Sequence, residues 1–176
     1  MTKAQAKAQK ENFYVFLDFD GVLYDIEYLI MNKIKNNEKL FRYAPDSIEA
    51  LNKLFAQLST KFNPHLVISS FWRMKFPMTV RLLKDHGFNI VGVPLMKTKI
   101  SSNPMKRGLE IKDFLKEHDN SDKFIIIDDT SFDYAKHFPK EKIIKTHILN
   151  DRLTEGKLET ALSLYGLELP STTMDK

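Results

Sequence analysis

The sequence predicts an α/β fold: a doubly wound parallel sheet of about five strands with helices on both faces. Three observations predict it. Short β-rich runs alternate along the chain with segments of helical periodicity, the order that strand–helix–strand units require. The runs are compactly apolar, as expected of parallel strands covered on both sides. Prolines and glycines fall where the helices should start and stop.

The elements follow in order. Residues 1–11 are polar, lack the apolar stretch of a secretory signal, and are expected to be a flexible lead-in to a single domain over residues 12–170. An amphipathic transit peptide is disfavoured, because Arg is absent there and the apolar face is only alanine. Phe13–Leu17 reads as the first strand. Residues 24–43 are the least regular part, expected to form a small cap or none. In Ser47–Leu58 the residues Ile48, Leu51, Leu54, Phe55 and Leu58 share one helical face. Pro45 precedes that helix, and Asp46 with Glu49 resembles a capping box. His65–Ile68 is the second strand, and Pro77–His86 a helix stopped by Gly87. Asn89–Val93 is read as the third strand. Pro104 is placed in the first turn of the next helix, where Ile111, Phe114 and Leu115 repeat at helical spacing. Phe124–Ile127 and Ile143–Ile148 are the fourth and fifth strands. A stripe of Leu158, Ala161, Leu162 and Tyr165 ends at Gly166, and residues 171–176 are expected to be a flexible tail.

Composition narrows the chemistry. A chain of 176 residues suits one domain with a proper core. It has no cysteine, which excludes disulfides, thiolate metal sites and cysteine nucleophiles and fits a cytoplasmic protein. No apolar run approaches the roughly 20 residues that cross a bilayer, so no membrane partner is expected. The net charge of +4 permits an anionic substrate without demanding nucleic acid. Oligomeric state is not legible.

The informative feature is where the acids fall. The first strand runs into Asp18-Phe19-Asp20-Gly21 and the fourth into Asp128-Asp129. Ligands of doubly wound sheets bind outside the carboxyl ends of the strands, so both pairs would lie on that edge. One Asp after a strand is usually a turn former or a helix cap. Two pairs, each directly after an apolar strand, point to a site. Converging carboxylates repel unless a cation neutralises them, and hard oxygen donors with room for water and phosphate describe a Mg²⁺ site. Asp18, Asp20, Asp128 and Asp129 are therefore the candidate metal residues, and Gly21 lets the chain turn back over them.

The second strand runs into Ser69-Ser70-Phe71-Trp72-Arg73. A serine hydroxyl there can donate to a phosphoryl oxygen, or cap the following helix. Arg73 is either an anion clamp or a surface residue, and Trp72 is read as partly buried core. A cation must also hold a phosphoryl group against the acids, and Lys106 and Arg107 compete for that place. Either one opposes the dipole of its helix from the first turn.

In this order the residues resemble the haloacid dehalogenase-like (HAD) phosphatase superfamily. Asp18-Phe-Asp-Gly-Val-Leu23 looks like its first motif, Ser69 like the second, Arg107 like the third and Ile127-Asp-Asp129 like the fourth. A closer resemblance is to the HAD domain of Swiss-army-knife RNA repair proteins. It is carried by Leu17–Leu23, Ser69-Ser-Phe-Trp-Arg73, Arg107-Gly-Leu-Glu-Ile111, Ile126–Asp129 and the late Leu153-Thr154. Val22 stands where many relatives have Thr, which removes a hydroxyl but no catalytic group.

The resemblance implies roles. Asp18 would attack phosphorus and carry an aspartyl-phosphate, and Asp20 would act as general acid and then base. Ser69 would bind a phosphoryl oxygen and Arg107 would neutralise charge. Asp129 would ligate Mg²⁺ with Asp18 and the Asp20 carbonyl, with Asp128 behind it or exchanging places with it. Ser70, Arg73, Lys106 and Gly21 would line the substrate. The substrate would be a small phosphomonoester or a nucleic-acid phosphate end. Three other readings remain: a glycosyltransferase Asp-x-Asp, a receiver domain, and a catalytically silent phosphate- or nucleotide-binding module on the same fold. The first leaves Asp128-Asp129 unexplained. The second needs an Asp after strand three, where Val93-Pro94 stands.

Overall fold

A computed structural model of the chain describes residues 10–36, 43–103, 105–118 and 121–169. Most of the lead-in, the tail, Pro104 and part of the expected cap lie outside the described residues. Five parallel strands form one sheet: β1 Asn12–Leu17, β2 Asn63–Ile68, β3 Leu95–Lys97, β4 Phe124–Asp128 and β5 Ile143–Lys145. Their spatial order is β3-β2-β1-β4-β5, so the direction of winding reverses at β1. The helices are α1 Ile26–Asn36, α2 Pro45–Lys61, α3 Phe76–Asp85, α4 Arg107–Glu117 and α5 Glu155–Ser163.

Alternation along β1 divides the core into two layers. Phe13, Val15 and Leu17 face Leu51, Leu54 and Leu58 of α2, Leu83 of α3 and Leu158 of α5. Tyr14 and Phe16 face the other way, onto Ile111, Phe114 and Leu115 of α4. Helices thus cover both faces, as the apolar runs predict. Among the described residues no helix is long and apolar enough to cross a membrane.

Five expectations need correction. The third strand is Leu95–Lys97, not Asn89–Val93. The Asn89 side chain accepts the Val91 amide (3.2 Å), the Val93 amide bonds the Ile90 carbonyl, and Gly92 is left-handed, so local bonding makes a turn of that segment. Pairing begins with the Pro94 carbonyl, which accepts from Leu66, because proline has no amide to offer. The capping box is absent too. Ala44 is the N-cap of α2, and Asp46 and Glu49 bond Arg152 and Lys53 instead. Helix α4 starts at Arg107, which puts Lys106 at its N-cap, and the β5 strand ends at Lys145. The irregular stretch contains the helix α1.

One polar knot fixes α1 against the sheet edge. Buried Asp25 accepts from the Tyr28 amide (2.7 Å) and from Arg152 (3.0 Å), while Arg152 also bonds both carboxylate oxygens of Asp46 at 3.1 and 2.8 Å. Removing the guanidinium leaves Asp25 as a buried charge with one amide donor. Arg152→Ala is therefore expected to lower the unfolding free energy by roughly 2 kcal/mol, with Arg152→Lys recovering part of it, as read by urea denaturation.

Candidate active site

Register sets the site. Leu17 of β1 is level with Ile68 of β2 and Ile127 of β4. The backbone ladder then continues one step beyond the strands. The Asp18 amide donates to the Ile127 carbonyl (2.9 Å) and the Ser69 amide to the Leu17 carbonyl (3.1 Å). Asp18, Ser69 and Asp128 are thereby fixed side by side at the carboxyl edge, at the switch point.

After Asp18 the chain turns sharply, with the Val22 and Leu23 amides both donating to the Phe19 carbonyl. Gly21 has φ +72°, and a Cβ built there would lie 2.6 Å from Oδ2 of Asp129. Only glycine lets this backbone lie against that carboxylate. Asp18, Asp128 and Asp129 each offer a carboxylate oxygen, all within 4.8 Å of one another. Asp20 stands at the exposed lip, and its Oδ1 accepts from the Tyr24 hydroxyl and from Trp72 Nε1 (3.0 Å).

The two acids after β4 differ. Asp128 is wholly buried and fully engaged: Oδ2 accepts from Arg107 (2.9 Å) and Tyr134 (2.7 Å), and Oδ1 from the Thr130 amide (2.7 Å). Asp129 is half-buried; its Oδ1 accepts from the Thr130 hydroxyl (3.0 Å), and its Oδ2 faces Gly21. Lys145 reaches across to donate to the Asp129 carbonyl.

Arg107 is the cation of the site. It is 4% exposed, and the same Nη1 donates to Asp18 (3.1 Å) and Asp128 (2.9 Å). Its guanidinium packs 4.1 Å from the centre of the Phe132 ring. The two carboxylates more than offset the mismatch between a cation and a helix N-terminus. Lys106 is exposed at the N-cap. Asp133 supplies the missing cap for α4, its Oδ1 accepting the Gly108 amide at 2.6 Å. A Cβ at Gly108 would meet that oxygen at 2.8 Å, so this approach also requires glycine.

Three serine and arginine expectations resolve differently. The hydroxyl of Ser69 is fully buried and, among the described residues, without a hydrogen-bond partner. An orphaned buried donor beside the acids fits an incoming oxygen ligand. Ser70 instead caps the turn that follows, accepting the Trp72 amide at 3.2 Å. Arg73 points inward rather than at the acids. It is buried, donates to the Ser69 carbonyl and to Thr98 (3.0 Å), and pairs with Glu110 at 2.8 Å. It braces the end of β2 and is spent on protein partners.

Sequence reasoning missed Tyr24, Thr130, Phe132, Asp133 and Tyr134; Trp72, read as partly buried core, does pack against the core, and its Nε1 also reaches Asp20. Asp133 five residues past Asp128 was the available signal, since an acid beside a strand end commonly caps a helix. A groove of about 670 Å³ between β3 and α4 is lined by none of the clustered acids.

Burial pushes the Asp18 carboxyl well above the ordinary carboxylate range; Asp128 adds to this, Arg107 opposes it, and Asp20 and Asp129 raise it further. Burial also raises Asp128, against the pull of Arg107, Tyr134 and Thr130. A carboxyl raised on folding weakens the fold as pH climbs from the unfolded value towards the folded one, and the loss is complete above both. In chelator at pH 8, Asp18→Asn is therefore expected to melt a few degrees higher than the unchanged chain, at roughly 2–4 °C per kcal/mol. The gain should shrink as pH falls into the ordinary carboxylate range, which calorimetry in EDTA would follow.

The model of the family described as the HAD domain in Swiss Army Knife RNA repair proteins matches residues 14–152. The comparisons with curated proteins and with solved structures found no match. The matched span runs from β1 to the Arg152 knot and holds every acid of the cluster, Ser69 and Arg107. With the parallel sheet and its switch-point acids, that match places the chain in the HAD domain family of Swiss Army Knife RNA repair proteins, a doubly wound α/β fold of the HAD type.

Proposed function

We propose that the protein is a Mg²⁺-dependent phosphohydrolase that cleaves phosphomonoesters, on nucleotide or polynucleotide phosphate ends, through an aspartyl-phosphate on Asp18. The observation that carries this reading is the convergence of Asp18, Asp128 and Asp129, the first two bonded to the Arg107 guanidinium, together with a buried Ser69 hydroxyl that has no hydrogen-bond partner among the described residues.

The donors suit a hard cation. Asp129 has a carboxylate oxygen facing the Gly21 turn, whereas all three hydrogen bonds of Asp128 are already made within the protein. Asp18, Asp129 and the Asp20 carbonyl would hold Mg²⁺, and Asp128 would hold Arg107. When bound, the ion would neutralise the acids and polarise the phosphoryl group. Asp18 attacks phosphorus with the oxygen not bonded to Arg107, and the ester P–O bond breaks. Asp20 hands its proton to the leaving alkoxide. Its Oδ1 is held by Tyr24 and Trp72, so the proton travels on Oδ2. Asp20 then takes a proton from water, the water oxygen displaces Asp18 from phosphorus, and inorganic phosphate leaves. Ser69 and Arg107 donate to the phosphoryl oxygens throughout.

Two experiments test this. With p-nitrophenyl phosphate and Mg²⁺, Asp20→Asn should accumulate one phosphoryl group on Asp18, because transfer to a good leaving group needs little protonation while hydrolysis lacks its base. EDTA should prevent the adduct. Peptide mapping to Asp20 or Asp129 would overturn the roles, and full turnover in EDTA would remove the metal. Arg107→Ala should lower kcat by a factor of about a hundred or more, the usual scale for a lost charge partner, and Lys106→Ala by far less. The reverse ranking in steady-state assays would move the cation by one residue.

A further inference from the structure

We propose that Phe71 is the platform on which the base of a nucleotide substrate stacks, so that the site takes phosphate esters of nucleosides in preference to those of aliphatic alcohols. The proposal rests on the phosphohydrolase reading above and adds a recognition element to it.

Phe71 follows Ser69-Ser70 directly, and its side chain is 53% exposed although its ring centre lies 5.9 Å from the Arg107 guanidinium carbon. That guanidinium touches the nucleophile Asp18 at 3.1 Å. A scattered exposed phenylalanine carries no message, but one beside the only cation bonded to Asp18 among the described residues is differently placed. Covering the guanidinium does not explain it. Phe132 already lies 4.1 Å from the same carbon, closely enough to shield it, and adopts φ +37° to do so. A non-glycine residue in the left-handed region is a backbone cost tolerated near functional sites. The second ring is farther away and faces solvent.

The backbone under Phe71 is held on three sides. Ser70 caps the Trp72 amide at 3.2 Å, Trp72 stacks on Phe19 with ring centres 5.9 Å apart, and Arg73 is anchored on Glu110 at 2.8 Å. A ring with two side-chain torsions on a fixed backbone is pre-organised and loses little freedom on contact. A nucleotide places a flat π-face one sugar from its phosphate. With the phosphate on Arg107 and Ser69, an adjoining aromatic face suits that base, and such stacking tolerates every base.

The test compares adenosine 5′- and 3′-monophosphate with β-glycerol phosphate, all with Mg²⁺. Phe71→Ala should raise KM for at least one adenosine phosphate by about tenfold while leaving its kcat, and both constants for β-glycerol phosphate, within twofold, the scale of one lost stacking contact. Phe71→Trp should restore KM, and Phe71→Leu, apolar without a π-face, should not. Calorimetric binding of the same compounds to Asp18→Asn protein, with and without Phe71→Ala, reads the contact without turnover. Absence of turnover with intact binding differences would overturn the phosphohydrolase reading and leave Phe71 supported. Equal binding of nucleotide and glycerol phosphate, equal losses for both, or a loss confined to p-nitrophenyl phosphate would overturn the platform.

Discussion

The guanidinium of Arg107 lies between two carboxylates that come from neighbouring strands of the sheet, Asp18 after β1 and Asp128 in β4. Burial strips these acids of water, and a buried anion without a partner is costly. One planar cation with several donors answers both at once, which an ammonium on a flexible stem does less well. The arrangement explains why the first residue of α4 is an arginine despite the unfavourable dipole, and why Phe132 is bent over it. It leaves the carboxylates of Asp20, exposed, and Asp129, half-buried, outside the Arg107 pairs and nearer the lip. Asp18 and Asp128 with Arg107 form the frame, and Asp20 and Asp129 lie towards its opening.

That frame is precise because backbone, not side chains, sets its base. The parallel ladders carry on one hydrogen bond past β1 and β2, so three residues with different chemistry are brought level by the same register that pairs Leu17 with Ile68 and Ile127. A one-residue slip would send Asp18 to the other face of the sheet. Arg73 reinforces the same edge from beneath by donating to the Ser69 carbonyl, while that serine's hydroxyl has no hydrogen-bond partner among the described residues.

Much of this was legible in the chain. The apolar runs located four of five strands, because continuous burial leaves a continuous signature. The acids were legible because two pairs directly after such runs have few structural explanations. What failed did so for local reasons. Asn89 and Gly92 converted an apolar segment into a turn, and the sheet resumed only past Pro94. Ser70 and Arg73 share the strand end with Ser69, yet one caps a turn and the other is drawn inward by Glu110, thirty-seven positions away in sequence. Periodicity cannot report a partner at that separation. Tyr24 and Tyr134 were missed likewise, since a hydroxyl becomes visible as a donor only when its carboxylate is in place.

The contact between Asp133 and the Gly108 amide joins the first turn of α4 to the loop that leaves β4. Arg107 sits on one side of that joint, and Asp128 and Asp129 on the other. Cation and acids are therefore joined through this cap as well as through the Arg107–Asp128 hydrogen bond. Asp18 is tied to the same unit twice, through its amide to the Ile127 carbonyl and through its carboxylate to Arg107. A change in the length of residues 129–133 would part Asp133 from the Gly108 amide and uncap the first turn of α4, so this loop must keep its length for one guanidinium to meet acids from two strands.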